Sequence, residues 1–147
     1  MPSIRIRMAL AAGLLAVASL LSATAAQACQ CAKTDRSAPA IFAAADVLFR
    51  GVALKDRATV RDRAPLIVTT FKVTEAFKGV KKGRTVAIGH RQGGGGACGV
   101  TFTTGESHTV KADRAGTDLW TSSCAMLGLI DPDPALLAQF RTLSQQR

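Results

Sequence analysis

The chain has 147 residues, with 19 Lys and Arg against 10 Asp and Glu and a formal net charge of +9. That length suits one domain with one core and leaves no room for a second. The positive charge raises the possibility of nucleic acid or another polyanion as partner. The basic residues are scattered, however, and only Lys78, Lys81, Lys82 and Arg84 form a cluster, punctuated as a turn by Gly79 and Gly83.

Arg5 and Arg7 precede an apolar run over 8–21, broken only by Gly13 and Ser19, and the segment ends at Ala26-Gln27-Ala28. A positive start, a short Ala-rich stretch and an Ala-x-Ala ending read as a secretory signal peptide over 1–28, too short for a comfortable membrane span. Cutting after Ala28 leaves residues 29–147 as one domain and lowers the net charge from +9 to +7. No later apolar run is long enough to cross a bilayer, so the expected product is exported, to the periplasm or the cell exterior. Export argues against a nucleic-acid partner. A lipoprotein signal also ends just before a cysteine, but its usual Leu three residues earlier is Ala26 here. Membrane attachment is therefore expected only if Cys29 is lipidated.

The cut would expose Cys29-Gln30-Cys31, and the other two cysteines are Cys98 and Cys124. An even number of cysteines in an oxidising compartment implies disulfides. Three pairings are open, of which Cys29 with Cys31 closes the tightest ring. A soft-metal site at Cys29 and Cys31 is the alternative, although Cys98 and Cys124 stand apart from other ligands and His90 and His108 are single.

Residues 37–45 suit a short helix, with Ser37 as cap and Pro39 in the first turn. Residues 46–54 read as a strand with Gly51 at a bulge or bend. Residues 55–64 are charged and aperiodic, which reads as a loop. A long strand follows over 65–77, where polar Lys72, Thr74 and Glu75 are interleaved with apolar Phe71 and Val73. Residues 78–83 form a turn and 85–88 the next strand. The run Gly93-Gly94-Gly95-Gly96 is followed by β-like residues 100–104 rather than by Lys-Ser/Thr and a helix, so it is expected to deliver Cys98 to its partner and not to hold phosphate. Strands over 106–112 and 119–123 complete the set, with Trp120 in the core. Asp133, Pro134 and the spacing of Leu136, Leu137, Phe140 and Leu143 predict a helix over 131–143. Five or six short strands with an early and a late helix predict a mainly β fold, a small barrel of the oligonucleotide/oligosaccharide-binding (OB-fold) type.

No catalytic pattern emerges. Gly-x-Ser-x-Gly and His-Glu-x-x-His are absent, and the ten carboxylates show no paired spacing. Cys98 or Cys124 with His90 or His108 could be written as nucleophile and base, but disulfide cysteines and surface histidines are the simpler reading. The chain is expected not to be an enzyme and to need no cofactor.

Several segments together resemble the N-terminal domain of the tissue inhibitors of metalloproteinases, within the netrin-like group. They are Cys29-x-Cys31, the stretch from Phe42 to Gly51, the strand and turn from Phe71 to Gly79, Ala97-Cys98-Gly99, Thr121-Ser122-Ser123-Cys124 and the helix after Asp131. Ala43 stands where the animal inhibitors have a further cysteine, and their second domain has no counterpart. The resemblance implies Cys29–Cys98 and Cys31–Cys124 bridges, the latter closing a loop worth about 4 kcal/mol in the chain-entropy model. It further implies protease contact by Cys29, Gln30, Cys31, Ala32, Gly96 and Ala97. The Cys29 amine and carbonyl would chelate the zinc of a partner metalloprotease. The contrasting reading is a non-inhibitory cell-envelope module that binds a protein or a polysaccharide through the barrel face or the Lys78–Arg84 turn, with an anionic envelope polymer as a candidate partner. Least favoured is a redox or metal-handling role for Cys29 and Cys31.

Overall fold

Helix α1 (Ala38–Ala44) begins where the sequence places its cap. The Ser37 hydroxyl accepts from the Ala40 amide at 3.4 Å, and Asp35 accepts from both the amide and the hydroxyl of Ser37. Ile41 and Phe42 turn one face into the core. At the other end the Lys78 ammonium donates to the carbonyls of Phe42 and Ala43 at 2.7 and 3.0 Å, where a cation meets the negative end of the helix. One member of the basic cluster is thus committed to structure. The computed structural model describes residues 29–61, 63–93 and 98–146. The signal-peptide reading of 1–28 and the contacts expected of Gly96 and Ala97 lie outside the described residues.

Strands β1 (Val47–Arg61) and β2 (Ala64–Lys78) form one long antiparallel pair. The expected loop over 55–64 is instead mostly strand. Lys55 to Ala58 are exposed, so this arm has no buried side to impose alternation on its sequence, and a ladder without a dry face leaves no period-two signal. The register shifts between Arg50 and Gly51, as expected of a bend, and again between Ala53 and Lys55. A Cβ at Gly51 would sit 2.8 Å from the Lys72 carbonyl, so only glycine admits that approach.

Strands β3 (Thr85–His90), β4 (Ser107–Ala115) and β5 (Asp118–Trp120) complete a closed barrel in the order β1-β2-β3-β5-β4, with β4 returning to β1. This is a small five-stranded, OB-fold-like barrel. The β-like segment 100–104 is not a strand: Val100 makes a single bridge to Gln92, while Val100 and Phe102 are buried in the core. Strand β5 stops at Trp120, although the Thr121 amide still donates to the Gly89 carbonyl at 2.9 Å. Phe49, Phe71 and Phe102 fill the barrel edge to face, with centroids 5.6 and 4.9 Å apart.

Helix α2 (Pro134–Gln145) starts at Asp133, whose carboxylate accepts from the Ala135 amide at 2.8 Å. Leu137 and Phe140 are buried, and Phe140 lies 5.6 Å from Phe77 on β2. Beside them Arg141 grips Glu75 with two hydrogen bonds, at 2.6 and 3.1 Å. No described helix is long and apolar enough to cross a membrane.

Candidate functional site

Residues 29–36 contain no helix or strand, so covalent bonds hold them. Cys29 is joined to Cys98 and Cys31 to Cys124, with Cα atoms 5.1 and 5.3 Å apart. These are the pairings the resemblance implies. The segment is consequently bound at two points one residue apart. Cys29 and Cys31 are half-buried, whereas Gln30 and Ala32 are exposed on either side of Cys31.

The residues flanking the glycine run shape one of these anchors. They are held together by the Val100 amide donating to the Arg91 carbonyl at 3.0 Å and the Gly93 amide donating to the Val100 carbonyl at 3.2 Å. A Cβ on Gly99 would overlap the Gln92 carbonyl, so glycine is required at that crossing. Cys98, next to it, holds φ at 51°, in the left-handed region unusual for a side chain with a Cβ. The Ser123 amide donates to the Cys98 carbonyl at 3.0 Å, tying the two anchors together.

The two bridges touch. The Cys29 sulfur lies 3.4 Å from that of Cys124 and 3.5 Å from the Ser123 hydroxyl. The sulfurs of Cys29, Cys98 and Cys124 all fall within 4.8 Å of one another. A soft metal takes thiolates, and disulfide sulfur carries no such charge. In this state the cluster is a knot of two bridges, with no free cysteine among the described residues.

The histidines serve the barrel. His90 is buried rather than on the surface, with Nε2 2.7 Å from the Thr69 hydroxyl and Nδ1 3.0 Å from the Arg91 carbonyl. His108 Nε2 donates to the Thr103 carbonyl at 3.2 Å, and its ring meets those of Phe71 and Phe102. Neither stands beside a free thiol, so the nucleophile-and-base reading has no geometry to carry it.

A second surface lies on the barrel face, and its residues were not singled out together in the sequence. A groove of about 680 Å³ runs across the outside of the barrel, with Arg57, Arg61, Arg114 and Trp120 among its walls. Trp120 is half-buried there instead of deep in the core. The signal available was Arg57-x-Thr59-x-Arg61, three polar side chains at a strand's spacing, hidden by the reading of 55–64 as loop. No protein-family model matches the chain and no curated protein matches it, so function is read from the disulfide-anchored segment 29–36 and the barrel surface.

Proposed function

We propose that the protein inhibits zinc metalloproteases with its mature amino terminus, as the resemblance to the tissue inhibitors implies. One observation supports this above the rest: Cys29 and Cys31 are each bridged to the barrel, with exposed Gln30 between them. A terminus fixed in this way loses little freedom on docking, which favours affinity. Two disulfides also accord with an oxidising compartment, and export to the periplasm or beyond belongs to the same proposal.

The chemistry is that of a bidentate ligand. A catalytic zinc has three protein ligands and a water in the open position. The amine and carbonyl oxygen of Cys29 form a five-membered chelate and displace that water. Gln30 then enters the cleft of the protease. The amine must be neutral to donate its lone pair. An N-terminal amine titrates at about pH 8, so deprotonation costs about 1 kcal/mol at neutral pH. Inhibition should therefore weaken as pH falls below that value, by roughly tenfold per pH unit.

The test compares the chain beginning at unmodified Cys29 with one carrying a single extra alanine before it, against a panel of zinc endopeptidases. The free terminus should inhibit, and the extension should abolish inhibition. Equal inhibition by both would rule out chelation, and inhibition by neither would rule out the inhibitor reading. Mass spectrometry of the exported protein should show a start at Cys29 with no acyl group.

A further inference from the structure

We infer that the groove on the barrel is a binding site for an acidic glycan, a sugar chain bearing carboxylate, sulfate or phosphate groups. The inference is independent of the protease reading, because the groove shares no lining residue with the anchored terminus.

The floor follows from strand register. Arg57 pairs with Val68, Val68 with Gly89 and Gly89 with Trp120, so these four residues form one row across β1, β2, β3 and β5. Gly89 sets the depth of that row. A Cβ there would overlap the Trp120 ring, so the absent side chain lets the indole lie across the strand. The Arg61 guanidinium covers the ring at 4.8 Å from its centroid and also reaches Asp118 at 3.7 Å. Among the described residues Asp118 is the only acid on the wall, and Arg61 reaches it.

Arg57 and Arg114 remain. Both are exposed, and among the described residues neither guanidinium has a hydrogen bond or an ion pair. Each offers a planar fork of donors suited to a carboxylate, sulfate or phosphate. The hydroxyls of Thr59, Thr85 and Thr117 supply the neutral donors and acceptors that a polyol takes. Two unbalanced cations beside hydroxyl-bearing walls match an anionic sugar chain.

Single-stranded nucleic acid, the other polyanion, needs exposed aromatic faces on which bases stack. The groove has one aromatic ring, with Gly89 against one part of it and Arg61 over it. It therefore has no open stacking platform. The two disulfides also belong to compartments where glycans are more accessible than nucleic acid.

Trp120 is the chain's only tryptophan, so its fluorescence reports on the groove. The disulfide-bonded chain starting at Cys29 is titrated at low salt with an oligogalacturonate, a heparin fragment, a neutral maltooligosaccharide and an oligothymidylate of matched charge. At least one acidic glycan should change the emission saturably, and added salt should weaken that binding. The double variant Arg57→Gln/Arg114→Gln should lose about tenfold in affinity or more. Lys81→Gln/Lys82→Gln, which removes the same charge from the exposed turn, should bind as the parent does. Both arginines are exposed, so circular dichroism should show an unchanged fold. Should the double variant fold poorly, Arg57→Gln alone is read in the same way, with a smaller loss expected. The inference is overturned by equal losses in the two charge-matched variants, by binding of the neutral sugar as tight as that of the acidic ones, by tighter binding of the oligothymidylate, or by no saturable change with either acidic glycan.

Discussion

Thr69 makes two hydrogen bonds with one hydroxyl. It donates to Asp56 Oδ1 at 2.6 Å, which uses its single proton. The same oxygen lies 2.7 Å from His90 Nε2, while His90 Nδ1 lies 3.0 Å from the Arg91 carbonyl. Asp56 is exposed and can turn to water, but His90 is 2 % exposed and cannot. Thr69→Val should therefore cost about 1–3 kcal/mol through the stranded imidazole, measured by urea unfolding, whereas Thr69→Ser should restore most of it. None of this was legible beforehand. His90 follows Gly89 at the end of an apolar strand, and its partner lies 21 positions away on a neighbouring strand. Only the β2–β3 register, which sets Thr69 opposite Ile88 and Ile67 opposite His90, brings the two together.

Elements show why some of the fold could be read and some could not. Both helices announce themselves through local chemistry: Ser37 and Pro39 for α1, Asp133 and Pro134 for α2. Caps act within four residues, so sequence carries them directly. The β1–β2 arm has no such marker, because its strand character comes from the partner across the ladder. How α2 is fastened to β2 is equally non-local. The Arg141 hydrogen bond, reinforced by its charge and by those of Arg50 and Lys82, holds Glu75 below its usual 4.5, with partial burial opposing. A carboxylate lowered on folding contributes stability above its unfolded value and loses it as pH falls through the folded one. The stability difference between parent and Arg141→Gln should thus be complete well above the usual 4.5 of the carboxylate and fade as pH falls below it. It should also shrink with added salt, since both side chains are substantially exposed. Thermal unfolding across pH and ionic strength checks both trends.

At the scale of the molecule, the strand count and the two flanking helices could be read from alternation and turns, and they point to a barrel. Closure could not. Strand β5 has three residues and meets β3 through the Gly89–Trp120 pair, too short a segment to declare its neighbours. The disulfide pairing was likewise open on spacing alone, and only the resemblance selected it. Cys31–Cys124 closes a loop with a sequence separation of 93. Replacing both cysteines with alanine should lower stability by about 4 kcal/mol in the chain-entropy model, read from the denaturation midpoint with Cys29–Cys98 intact. The loss should act on the unfolded chain as well as on the terminus, leaving the far-ultraviolet dichroism of the folded form unchanged.

The two bridges also impose an order of events in time. Cys29 and Cys31 are synthesised together, but Cys98 follows Cys29 by 69 residues and Cys124 follows Cys31 by 93. At about 5–20 residues per second, the first partner arrives roughly 3–14 s later. Until then each early thiol has only the other to pair with. The bridges can close only after Cys98 and then Cys124 have been made. An oxidant that acts sooner must be followed by thiol exchange, so this small barrel places its demand on the machinery that makes and reshuffles disulfides.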